Sequence, residues 1–189
     1  MKKRYVGLIT LLFMIFVSLV SSSAYVELKH TVGNTVTYYP YEGFEVLTHN
    51  HMQNAASVWN KAVGREVISV SPTTQPNRLG YYKNDGKNYI YAEDVGAGYV
   101  AQNHYWWSGN KLTESDINLN MYYSWSNSAQ SGRYDVYSVF LHELGHTIGL
   151  GDVEDDGYID KSIMYQYVFK NKERRQLLSD DLAGVAALY

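Results

Sequence analysis

Residues 141–152 read Leu141-His142-Glu143-Leu144-Gly145-His146-Thr147-Ile148-Gly149-Leu150-Gly151-Asp152. On a helix, positions four apart lie one turn above each other on one face, so His142 and His146 can direct two imidazoles at one ion. Glu143 is rotated about 100° from His142, which sets its carboxylate beside such an ion and not on it. A carboxylate in that place suits a base acting on water held by a metal. Catalytic zinc takes three protein ligands and leaves a fourth position open. No histidine follows His146, so the third ligand has to be a carboxylate. Gly149 permits a sharp turn, after which Asp152 can come back to the ion. Asp155, Asp156 and Glu173 are its rivals.

Outward from the motif, the helical period begins at Asp135, an N-cap residue type, and Val136, Val139, Phe140 and Leu144 supply the apolar face. Two incidental histidines on an amphipathic helix is the plain alternative, and H-E-x-x-H alone carries a false-positive risk. A helix is expected over Glu45–Val63, ended by Gly64, with the turn Val46–Asn50 fitting its apolar stripe least well. Another is expected from Ser179 to Tyr189. Strands are expected at Asn34–Tyr39, Val67–Val70, Gly96–Tyr105 and Asp116–Tyr122. Tyr81-Tyr82 and Asn88–Tyr91 flank the turn Asn84-Asp85-Gly86-Lys87 and are read as a hairpin. No repeat interrupts this order, and the fold class is α+β.

The first residues belong to export. Lys2, Lys3 and Arg4 precede the apolar run Tyr5–Val20, and Ser22-Ser23-Ala24 places small residues at a cleavage site. Residues 1–24 are therefore expected to be a signal peptide and 25–189 the mature domain. The run is short for a membrane span, so no membrane association is expected after cleavage. Losing three basic residues and no acid takes the formal charge from -3 to -6. With that charge there is no basic footprint for nucleic acid. With no cysteine, disulfide scaffolds, thiol catalysis and Cys-ligated zinc are excluded.

The pattern H-E-x-x-H-x-x-G-x-x-D, followed by Ser162-Ile163-Met164-Tyr165 with Met164 twelve residues after Asp152, resembles the metzincin zinc endopeptidases. Asp152 stands where most members have His, as in the snapalysin-like members, and the spacing to the methionine turn is close to that of the matrixins. Ala55–Asn60, Asp85–Ile90, Glu114–Leu119 and Leu177–Tyr189 resemble further matrixin segments, so the likeness covers most of residues 35–189. It implies a twisted mixed sheet of five strands, an active-site helix and a C-terminal helix. It also implies a secreted, monomeric zinc endopeptidase with zinc on His142, His146 and Asp152 and with Glu143 as general base and acid. By the same resemblance, Ala97–Gln102 would form the cleft edge where an extended peptide substrate adds as a strand, and Ser138 would line the pocket after the scissile bond.

An Asp ligand cancels part of the ion's charge, so water at the site should be less acidified than with three histidines, and a somewhat alkaline pH optimum is expected. Tyr165 directly follows Met164 and is read as packing, with a contact to zinc or substrate the alternative. His49 and His51 read as surface residues and His104 as part of an aromatic strand end. Five carboxylates between Asp152 and Asp160 offer oxygen ligands for calcium, but the spacing matches no EF-hand and an ordinary acidic loop is the simpler reading. Asp180 and Asp181 fit the positive end of the last helix. Two other classes remain: a zinc peptidase of another clan using Glu173, and a non-enzymatic binding module with a structural zinc.

Overall fold

The computed structural model describes residues 23–76 and 82–189. Except for Ser23 and Ala24, the expected export segment lies outside the described residues. Among the described residues nine strands occur in chain order: β1 (Val26–Glu27), β2 (Val36–Pro40), β3 (Ile68–Val70), β4 (Asn88–Glu93), β5 (Ala101–Ser108), β6 (Lys111–Asn120), β7 (Trp125–Ser126), β8 (Tyr134–Asp135) and β9 (Leu150–Gly151). The helices are α1 (Val46–Val63), α2 (Val136–Ile148) and α3 (Ser179–Leu188), with one 3-10 turn at Asp156–Tyr158. The main sheet has five strands in the order β3-β2-β4-β6-β5. All neighbours are parallel except β5, which runs antiparallel to β6 at the edge. This is the α+β architecture the sequence points to.

Alternation explains which face of the sheet is covered. Val36 and Tyr38 of β2, Ile90 of β4 and Ile117 and Leu119 of β6 enter the core with Phe140, Leu141 and Leu144 of α2. In α1, Met52, Ala55, Ala56 and Trp59 make the buried stripe. Val46 and Leu47 stay exposed, as expected where the apolar period fails. Trp59 is fully buried, and its indole N–H donates to Leu141 O at 2.8 Å, locking α1 to α2.

On the opposite face, alternate polar residues of β6 are buried because they hold backbone. Asp116 Oδ1 accepts from Tyr89 N, Asn118 Oδ1 from Glu93 N, and Asn120 Nδ2 donates to Gly96 O and Tyr99 O. Unpaired, such groups would be costly there.

Two strand expectations are corrected. The turn at Asp85-Gly86 forms, with Gly86 at φ 81 and Glu114 accepting from the backbone N–H of Asp85 and Gly86. It does not close a hairpin: Tyr81 lies outside the described residues, and β4 pairs in parallel with β2 and β6. The strand expected over Gly96–Tyr105 begins only at Ala101, because Gly96 (φ 78) and Gly98 (φ 150) adopt positive φ. The strand is thus 101–108, while residues 98–103 line the cleft.

Candidate metal centre

α2 begins where Asp135 Oδ2 accepts from Ser138 N at 3.0 Å, and it ends at Gly149, whose φ of 109 is left-handed. A side chain at Gly149 would also collide with His30 O, 2.2 Å from an ideal Cβ. Twelve of the thirteen helical residues are buried, all but His146. The helix therefore runs through the interior and delivers His142, Glu143 and His146 to the floor of a cleft.

His142 Nδ1 lies 2.9 Å from Ile163 O, and His146 Nδ1 lies 2.8 Å from Leu150 O. A carbonyl accepts only, so each Nδ1 carries a proton, and in the neutral ring each Nε2 offers its lone pair. Those two Nε2 atoms stand 3.2 and 3.6 Å from Asp152 Oδ1. Ligands 2.0–2.1 Å from a tetrahedral zinc ion are about 3.3 Å apart, so this donor set fits that ion. Among the described residues it is the group of three or more metal-capable side chains whose ligand atoms converge, all within 4.8 Å of one another.

The site's electrostatics are those of a partly dry pocket. Burial pushes Glu143 up to about 7, with the nearby Asp152 adding and His142 opposing. Burial also drives His146 down to about 4, assisted by the proximity of His142. Burial would depress His142 as well, but the bond to Asp152 and the charge of Glu143 hold it up at about 8. Two imidazoles one turn apart are thus set in opposite directions, as expected of groups that share one charge.

Below the histidines, Met164 is buried with its Sδ against Gly145, where a Cβ would approach to 2.1 Å. Its turn is held by Asp181, which accepts from Ser162 Oγ (2.6 Å), Ile163 N (2.9 Å) and Leu178 N (2.7 Å). Asp181 therefore does more than complement a helix dipole. Asp180 accepts from Ala24 N at 2.7 Å. Above the histidines lies a cleft of about 610 Å³ bordered by β5, with Tyr99, Tyr105, Tyr123, Tyr134 and Tyr167 among its lining residues.

The other candidates are placed elsewhere. Glu173 accepts from Ala129 N at 2.9 Å and lies 3.4 Å from Arg175 Nη2. Asp155 caps the 3-10 turn through Gly157 N, and Asp156 accepts from the Tyr165 hydroxyl at 2.5 Å. Tyr165 therefore packs away from the cluster, and the cleft-lining tyrosine of that segment is Tyr167. The Ser138 hydroxyl is taken up by Asp135 Oδ2 (2.6 Å) and Arg174 N (2.7 Å), beside a cavity of only about 10 Å³. His104 stacks on Tyr82 at 3.6 Å.

Sequence reasoning missed His30, whose Nε2 contacts His146 O at 3.0 Å, and the pairing of β1 with β9 beside Asp152. It also missed Arg175, which binds Asp135 through Nε (2.9 Å) and Nη2 (2.6 Å). Each is a contact between distant segments that leaves no local periodicity.

The sequence is similar to known proteins. The family model described as matrixin, of the M10 peptidases, matches residues 27–189. Human neutrophil collagenase is 34% identical over 67 residues, covering 35% of this chain and 13% of that protein. Metalloendoproteinase 2-MMP of Arabidopsis thaliana is 38% identical over 55 residues, covering 29% of this chain and 14% of that protein. These matches thus span about a seventh of each relative's own length. The family model, in contrast, takes in the whole five-stranded sheet, α2 and the turn of Met164, and so the chain belongs to the matrixin family, whose members are zinc-dependent endopeptidases.

Proposed function

We propose that this chain is a secreted zinc endopeptidase in which His142, His146 and Asp152 hold the metal and Glu143 is general base and then general acid. The observation that carries the reading is the convergence of the two Nε2 atoms with Asp152 Oδ1, each ring fixed by a backbone carbonyl behind it. Zinc held by such a set lowers the pKa of water and polarises a carbonyl oxygen.

The chain's own residues supply the rest. β5 pairs with β6 along one side, and its other side borders the cleft, which suits an extended peptide adding as a strand. Glu143, pushed up to about 7, takes a proton from water and returns it to the leaving amine near neutral pH. The two remaining readings fit less well. Glu173 is engaged by Ala129 and Arg175, and a structural zinc module has no use for an open cleft beside a buried carboxyl group. Residues 1–24 act as the signal peptide. No described helix is long and apolar enough to cross a membrane.

The test uses the secreted protein with zinc and an unfolded protein as substrate, beside a chelator control and Glu143→Ala. Cleavage that disappears in both controls, while the variant keeps one zinc per chain, supports the proposal. Cleavage that survives the chelator, or one zinc with no cleavage of any substrate, overturns it. A pH–rate profile that stays flat into the acid range would contradict the expected alkaline optimum.

A further inference from the structure

Directly beneath Glu143, four polar side chains from four elements meet in the core. Tyr38 (β2), Ser115 (β6) and Thr147 (α2) are fully buried, and Asn103 (β5) is half-buried beside the cleft. The Tyr38 hydroxyl lies 2.6 Å from Ser115 Oγ and 2.7 Å from Thr147 Oγ1. Ser115 Oγ is 2.7 Å from Asn103 Oδ1, and Asn103 Nδ2 is 3.0 Å from Thr147 Oγ1 and 2.8 Å from Glu143 O.

Proton counting fixes the direction of every bond. Asn103 Oδ1 can only accept, so Ser115 donates to it and has no hydrogen left. Tyr38 must then donate to Ser115, and Thr147 to Tyr38. The Asn103 amide supplies the hydrogen that Thr147 Oγ1 accepts. The ring Tyr38→Ser115→Asn103→Thr147→Tyr38 closes with each hydroxyl donating once and accepting once. One donor remains, the second amide hydrogen of Asn103, and it goes to Glu143 O. That carbonyl already serves the α-helical ladder and accepts the amide with its second lone pair.

We propose that this ring makes Asn103 a positioning residue, fixing the substrate-side strand β5 against the turn of α2 that carries Glu143. The proposal deepens the peptidase reading and rests on Glu143 being its base. A peptide laid along β5 has its scissile carbonyl placed by that strand, whereas the proton acceptor is placed by α2. The Asn103 amide ties the two directly, to Glu143 O and Thr147 Oγ1. Its orientation is set in turn by three hydroxyls that never meet the substrate. Hydrogen bonds in such a cycle polarise one another, so removing any member loosens all four.

The test measures kcat and KM on a peptide containing a bond the wild-type protein cuts, with zinc content and thermal unfolding measured alongside. Asn103→Leu is expected to keep one zinc and lower kcat at least about 10-fold, within the cost of a displacement near 1 Å, while KM moves less. Tyr38→Phe and Thr147→Val, both remote from substrate, should lower kcat by roughly threefold or more on the same ground. Thr147→Ser, which keeps the hydroxyl, should restore wild-type turnover. Combining Tyr38→Phe with Asn103→Leu should cost no more than Asn103→Leu alone. Turnover within twofold of wild type in folded Asn103→Leu and Tyr38→Phe would overturn the positioning role. So would losses in the double variant that multiply. If Asn103→Leu does not fold, Tyr38→Phe and the Thr147 pair decide the matter. If the wild type itself neither binds zinc nor cleaves, the peptidase reading has failed. The ring is then judged on unfolding temperature, where a double variant no less stable than Asn103→Leu upholds it and summed losses refute it.

Discussion

At the N-terminal end of α2, buried Asp135 meets Arg175, which donates to both of its carboxylate oxygens, and Ser138, which donates through backbone and side chain. The opposing charge and these bonds outweigh burial and hold Asp135 below the usual carboxylate range. Two turns along the same helix, Glu143 is also buried, yet its surroundings push it up to about 7. One carboxylate is answered inside the fold, and its energy goes into holding the segment around residue 175 against the helix. The other is left poised between protonation states, where it can exchange a proton with something that enters the cleft. Under the proposed function, the comparison separates a charge that serves stability from one that serves chemistry.

That separation can be attacked from both ends. Glu143→Ala should lower kcat by about 10²–10⁴ without lowering the midpoint of thermal unfolding, since it deletes a buried carboxyl held above its usual range. A marked loss of stability would break the contrast. Asp135→Ala should do the reverse. It removes the bidentate partner of the partly buried Arg175, leaving it Glu173 and Asn127 O, and should cost about 3 kcal/mol in urea unfolding, with zinc content unchanged.

Asp116 sharpens the comparison, because burial pushes it too up to about 7 while it lies on the far side of the sheet from the cleft. An acid whose folded pKa is raised keeps its proton in the folded chain while the unfolded chain has lost it. Stability should therefore fall as pH rises from about 4 to about 7, by an amount on the order of 2–4 kcal/mol. Asp116→Asn should flatten that slope and leave the pH profile of kcat untouched. The smallest effect belongs to Ser138→Ala, which removes one donor to Asp135 and one acceptor for Arg174 N. It should cost about 1 kcal/mol, read as a shift in the urea midpoint.

α2 could be located from Asp135 and Gly149 because caps and helical periodicity are local, and the same holds for α1 and its stop at Gly64. The convergence of His142 and His146 was legible for a related reason: a spacing of four is a geometric statement on any helix. The failures share a different cause. Asn88–Tyr91 looked like half of a hairpin because its turn is nearby, yet its partners are β2 and β6, dozens of residues away. Nothing around Arg175 announces Asp135, and nothing around Asn103 announces Tyr38. Those pairings are decided by the packing of α2 on the sheet, which no window of sequence contains. Ser138 sits at a plausible pocket position, but the Arg174 backbone claims its hydroxyl.

The glycine under the methionine has a chemical consequence. Met164 Sδ rests where a Cβ of Gly145 would intrude, and the residue is 2% exposed, while Met121, just after β6, is 38% exposed. A sulfoxide oxygen on Met164 would need space that the floor of the site does not have. In a chain without cysteine, peroxide is expected to oxidise Met121 while the sulfur beneath the histidines remains a thioether. The tight contact that shapes the site is also its protection against oxidants.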